Sequence, residues 1–270
     1  MTFAAYRVSA LLVKELAELR RNRMALVPVL ILAVVTIVLP FLIVLVIPAF
    51  VGEPLSGDPE FARAVKRGTV PPGTHMSDEA AVQAFIFQQF MLLQLLIPVT
   101  GAMAFAGYSL IGEKQGRTLE PLLATPITTA ELLIAKGLGA LLPSLAIMLG
   151  TLAVYLAGML AFAEPQVFSA VVSARAALLV LGFGPVAALV ALQIAILVSS
   201  RVNDPRTAQQ FGALLILPIT VAFVMQFNGV IRLTVPVIII ALVVLFAVWV
   251  LLVMLGVALF QREAILTRWK

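Results

Sequence analysis

Six long runs without a charged residue alternate with short polar stretches: residues 24–52, 80–112, 137–163, 176–200, 207–231 and 233–261. Each exceeds the roughly 20 residues a helix needs to cross about 30 Å of hydrocarbon. No strand-like alternation recurs, and lipid cannot satisfy open backbone groups, so the pattern predicts helices. It divides the chain into an N-terminal segment (1–23), spans at 24–50, 82–111, 131–163, 176–199, 211–228 and 235–260, and connections at 51–81, 112–130, 164–175, 200–210 and 229–234, with a tail at 261–270. The expected fold is a single all-α integral membrane domain of six transmembrane helices. Only Arg232 separates the fifth and sixth runs, which fits either a short loop or a re-entrant pair.

The polar stretches carry their own patterns. In the N-terminal segment, Val8, Leu12, Leu16 and Leu19 share one helical face, and Arg7, Lys14, Glu18 and Arg21 share the opposite one. With Arg20 beside them, this reads as an amphipathic helix lying in the membrane interface. In 51–81, Asp58 is placed to cap a short helix that starts at Pro59 and stops before Gly68, and Ser77-Asp78-Glu79 marks the start of the second span. In 112–130, Leu119, Leu122 and Leu123 fall on one helical face, Pro121 suits a first turn and Pro126 ends it. Thr128 and Glu131 then form a T-x-x-E capping box that opens the helix running through Lys136 into the third span. A leucine face and two helix boundaries in one short loop suit contact with another protein.

Composition supports the bilayer as solvent. The chain is 62% apolar and 11% charged, with mean hydropathy +1.13, against about 25% charged residues in soluble domains. The net charge of +5 and pI near 10.0 reflect basic residues kept on one side of a membrane rather than nucleic-acid binding. With the N-terminus inside, 13 of the 18 bases lie on inner segments and 5 on outer ones, which predicts cytoplasmic termini. The first apolar run begins only at Met24 and lacks a small-residue cleavage site, so no cleavable leader is expected. There is no cysteine, which excludes disulfides and thiolate metal sites, and the single histidine, His75, has no second candidate ligand.

No catalytic or metal-binding set emerges. The string Gly112–Thr118 has the wrong spacing for a P-loop and an arginine where the phosphate-binding lysine belongs. No Asp, Glu, Lys, Arg or His lies deep in a span, where ion-coupled carriers expose theirs. The energy for any transport is therefore expected to enter from outside the membrane. Gln88, Gln94 and Gln193 are candidates to line a substrate path, with hydrogen bonding between packed helices as the alternative reading.

The stretch E-K-Q-G-R-T-L-E-P-L-L-A-T-P-I-T-T-A-E-L-L-I-A-K, residues 113–136, resembles the loop between the second and third spans of ABC transporter permeases of the type-2 (type V exporter) family. Matching positions are Glu113, Thr118, Leu119, Glu120, Leu122, Leu123, Pro126, Glu131 and Lys136. Arg117 stands where a glycine usually precedes the threonine, Ala135 where one precedes the lysine, and Gln115 where an acid is common. The basic N-terminus, the six-span plan and the basic tail also resemble that family. The resemblance implies a cytoplasmic coupling helix between spans two and three, contacted through Glu113, Arg117, Glu120 and the leucine face by a separate ATPase. It further implies two ATP-binding subunits holding ATP and magnesium, a second permease chain, and residence in a prokaryotic inner membrane. A stand-alone secondary carrier and an ABC assembly used for mechanical signalling are the alternatives.

Overall fold

A computed structural model of the chain describes residues 5–67, 76–116, 128–201 and 205–259. Asn22 separates the charged first helix, α1 (Ala5–Arg21), from the first apolar one, α2 (Arg23–Val51). The Asn22 side-chain oxygen accepts from the Ala25 amide at 3.2 Å, satisfying a helix-start donor. Between Pro40 and Pro48, α2 passes through a π-helical turn, Leu42–Val46, and it ends at Gly52, whose φ of 76° suits glycine. A 3₁₀ turn, Leu55–Gly57, leads to α3 (Pro59–Arg67), where Asp58 Oδ1 accepts from the Glu60 amide at 2.7 Å.

The second crossing is two helices, α4 (Asp78–Leu93) and α5 (Leu96–Gln115). Ser77 caps α4 by accepting from the Ala80 amide at 3.0 Å. The sequence predicts one continuous span here, and Pro98 breaks it. Its ring has no N–H for the Gln94 carbonyl and presses on it. That carbonyl accepts instead from the Ile97 amide at 3.2 Å, a tighter turn that offsets α5 from α4.

Beyond residue 128, α6 (Thr129–Phe162) is 34 residues long. A short α7 (Pro165–Val171) then occupies the stretch read as a plain link. The fourth long helix, α8, runs through Ala174–Ala177, a π-helical stretch Leu178–Phe183, and Gly184–Arg201. Finally α9 (Pro205–Phe227) turns through Gly229, at φ 70°, into α10 (Val235–Leu259). The described residues contain helices and no strand. Among the described residues, five helical segments are long and apolar enough to cross a membrane, and α9 carries a shorter apolar part, Ile216–Phe227.

The second crossing is the hub. Here α5 packs against α2, α6, α8 and α9, while α1 lies along α6 and α10 sits outside α8. Phe85, Phe87, Ile97 and Ala102 are almost wholly enclosed. Phe41 of α2, Phe87 of α4 and Tyr155 of α6 meet edge to face, with centroids 5.1–5.9 Å apart. The Tyr155 hydroxyl donates to the Phe87 carbonyl at 2.7 Å, which satisfies it where water is excluded. The outer helices show the reverse pattern: Ile31, Val34 and Val38 on α2 and Ile240, Val243 and Met254 on α10 are exposed. Apolar patches this extensive are an aggregation hazard in water and an ordinary surface in lipid.

Candidate functional site

The residues flanking the predicted coupling stretch converge where α1, α5 and α6 meet. Thr128 and Glu131 form the reciprocal box: Thr128 Oγ1 accepts from the Glu131 amide at 3.2 Å, and Glu131 Oε2 accepts from the Thr128 amide at 2.7 Å. This satisfies two orphan donors at the start of α6 and fixes the direction in which the chain joins it. Arg7 of α1 approaches the same carboxylate at 3.9 Å.

One turn further on, Lys136 is buried, 3% exposed, and its Nζ donates to Glu15 Oε1 at 2.9 Å and to Ser109 Oγ at 2.8 Å. Ser109 Oγ donates in turn to Glu15 Oε2 at 2.5 Å. The three groups close a ring, one from each of α1, α5 and α6. Around it Val8 and Leu11 of α1 pack on Leu132 and Ala135 of α6, a small core separate from the main one. The helices approach closely: a Cβ on Gly139 would stand 2.7 Å from the Glu15 Cβ. A cavity of about 280 Å³ opens beside the ring, with Glu18, Asn22, Tyr108 and Gly116 in its wall.

The buried side of α1 therefore runs Val8–Leu11–Glu15, not along Leu12 and Leu16, which are half-buried. An acid on the apolar face turns inward because Lys136 is there to meet it; neither charge would be stable alone in that setting. Lys14 is bonded instead to Glu18 at 3.4 Å along the exposed side, and Arg20 and Arg21 are exposed. Among the sequence-predicted contact residues, Glu113 lies in the last turn of α5. Arg117, Thr118, Leu119, Glu120, Leu122, Leu123 and Pro126 lie outside the described residues, as do His75 and the 261–270 tail.

Residues 9–240 match the family described as ABC-2 family transporter protein. The chain belongs to the ABC-2 transporter family. Neither the curated proteins nor the solved structures contain a match to it. It is accordingly an integral, multi-pass membrane component of a transporter. The match begins within α1, ends within α10 and includes every member of the ring.

In this ABC-2 permease the three amides read as path candidates have separate surroundings. Gln88 Nε2 donates to the Ala170 carbonyl of α7 at 3.1 Å, and its Oε1 accepts from Arg175 at 3.0 Å. Gln193 Nε2 reaches the Leu252 carbonyl of α10 at 3.5 Å. Both thus join packed helices. Gln94, at the break in the second crossing, is fully enclosed, and neither side-chain atom has a hydrogen-bond partner among the described residues. An amide buried that way costs about 1–3 kcal/mol. Gln94→Leu is expected to raise thermal stability in detergent by that amount, and a lowered melting temperature would refute the assignment.

Glu15 and Ser109 were missed as site residues. Glu15 had a signal, an acid seven positions after Val8 and four before Leu19, in register with apolar residues. Ser109, inside an apolar run, had none.

Proposed function

We propose that the chain is the membrane-spanning subunit of an ATP-driven exporter, worked by a separate ATP-binding subunit that docks on residues 112–130. In this reading two such subunits serve two permease chains, the sixth crossing is completed by α9, and both termini face the cytoplasm of a prokaryotic cell whose inner membrane holds the assembly. ATP and magnesium belong to the partner.

The observation that carries the reading is the ring at the start of α6. The 34-residue α6 begins directly after the proposed docking stretch. Its first turns are fastened to α1 and α5 by Lys136, Glu15 and Ser109. Parting a buried pair of this kind costs about 3–5 kcal/mol. A displacement of the docking stretch then moves three helices as one body, with Thr128 and Glu131 keeping the join stiff. Family membership supports the same reading, since ABC-2 permeases generally work with an ATP-binding subunit.

The test is co-purification with a soluble ATPase, followed by ATPase and transport assays on Glu120→Lys with Leu122→Asp. The double variant is expected to lose the partner, and with it at least about tenfold of cargo-stimulated hydrolysis, since reversing one charge and burying another removes more than about 1.4 kcal/mol. Normal partner binding and turnover would reject the docking assignment. Cargo movement in liposomes holding this chain alone would reject the partner altogether. Hydrolysis coupled to no cargo would favour mechanical signalling.

A further inference from the structure

Two cavities at the end of the bundle away from α1 share a wall. The larger, about 220 Å³, lies among α4, α5, α8, α9 and α10 and is lined by apolar residues. It is partly open, and it exceeds the roughly 150 Å³ of an apolar protein cavity that takes up a small hydrocarbon. Two departures from regular helix border it, the break that carries Leu95 and the π-helical stretch that carries Phe183, and Pro218 inside α9 lies beside them. Four or five straight, well-packed helices would leave no such space, and π-helical turns cluster at functional sites.

The smaller cavity, about 10 Å³, shares Leu179, Leu233 and Ile238 with the larger and adds Gln88, Arg175 and Gln226. That is room for about one oxygen atom with its hydrogens. Arg175 donates to Gln88 Oε1, which uses one of its five N–H donors, and it pairs with no carboxylate among the described residues. Gln226, 4% exposed, stands in the same wall. A half-buried guanidinium with N–H donors to spare and no carboxylate partner among the described residues is completed by a ligand oxygen that carries negative charge.

We propose that the two cavities form one site for an anionic amphiphile, its hydrocarbon chain in the larger and a carboxylate or phosphate oxygen at Arg175 in the smaller. The site is contained in a single chain and does not depend on the ATP-driven reading. Both a free fatty acid and an anionic bilayer phospholipid have the required chemistry.

The full chain in phosphatidylcholine nanodiscs is labelled with diazirine-bearing palmitate, diazirine-bearing phosphatidylglycerol or, as the uncharged control, diazirine-bearing hexadecanol. Saturable labelling by palmitate or phosphatidylglycerol is expected on peptides holding Leu92–Val99, Leu179–Ala187 and Ile238–Leu245. Labelling by palmitate alone identifies a free amphiphile as the occupant, and labelling by phosphatidylglycerol identifies the bilayer as the source. Arg175→Gln should weaken the anionic probe about tenfold, the effect of losing one charged hydrogen bond, and leave hexadecanol unchanged. Ala222→Trp, which fills the larger cavity, should abolish labelling at these peptides. If that variant does not fold, the comparison of acid with alcohol on wild type and Arg175→Gln decides. Labelling confined to the outward residues of α2 and α10, or equal labelling by acid and alcohol, overturns the proposal.

Discussion

Lys136→Met is expected to destabilise the protein by about 3–5 kcal/mol, the effect of removing one partner of a buried ion pair. The pair is enclosed, with side chains 3% and 5% exposed at a separation of 2.9 Å. Methionine fills the same space and packs against Leu132 and Ala135, so little of the loss comes from a void. What remains is a Glu15 carboxylate in an apolar seam with Ser109 as its only close partner in the ring. Removing the second charge reverses the penalty: Lys136→Met with Glu15→Leu should recover most of the lost stability. Thermal unfolding of the four variants in one detergent, read as a double-mutant cycle, checks this. Additive losses would mean that the two charges do not meet.

Gly101→Leu should have an effect of similar size by a different route. A Cβ at position 101 would stand 2.7 Å from the Ser144 Cβ, 3.3 Å from the Ser144 Cα and 3.5 Å from Val29. The obstacle is close to the backbone of α6, so no rotamer change relieves it. Overpacking costs about 1–3 kcal/mol, and more where two helix backbones must separate. Separation here would disturb the hub itself, because α5 is the helix that α2, α6, α8 and α9 share. Gly101→Ala with Ser144→Gly should restore much of the stability that Gly101→Ala loses. A Gly101→Leu protein that melts like wild type would show that α5 and α6 do not approach this closely.

The helices of this protein were legible where ends are marked by chemistry. Asp58 and Thr128 cap the helices they were expected to cap, and Ser77 stands at the helix start read there, because a side-chain acceptor next to an apolar run has few other uses. The long apolar runs were legible by length alone. What the sequence hid was direction. A helix apolar all round gives no sign of which face meets protein and which meets lipid, so the choice of the second crossing as hub could not be read. The break at Gln94–Leu95 was hidden for a related reason. Proline is common in membrane helices and often only bends them, and Pro98 looked no different from Pro143, which α6 tolerates. The inner ring was half legible: Lys136 and Glu131 stood out, while Glu15 passed for one charge among many on a basic helix.

The jointed second crossing sets how motion can travel through the molecule. Its lower rod, α5, is tied to the ring through Ser109, and its upper rod, α4, is gripped by Phe41, Tyr155 and Phe223. In the ATP-driven reading, a push at the ring would meet the break at Gln94–Leu95 before it met α4, so the two rods need not swing in the same direction.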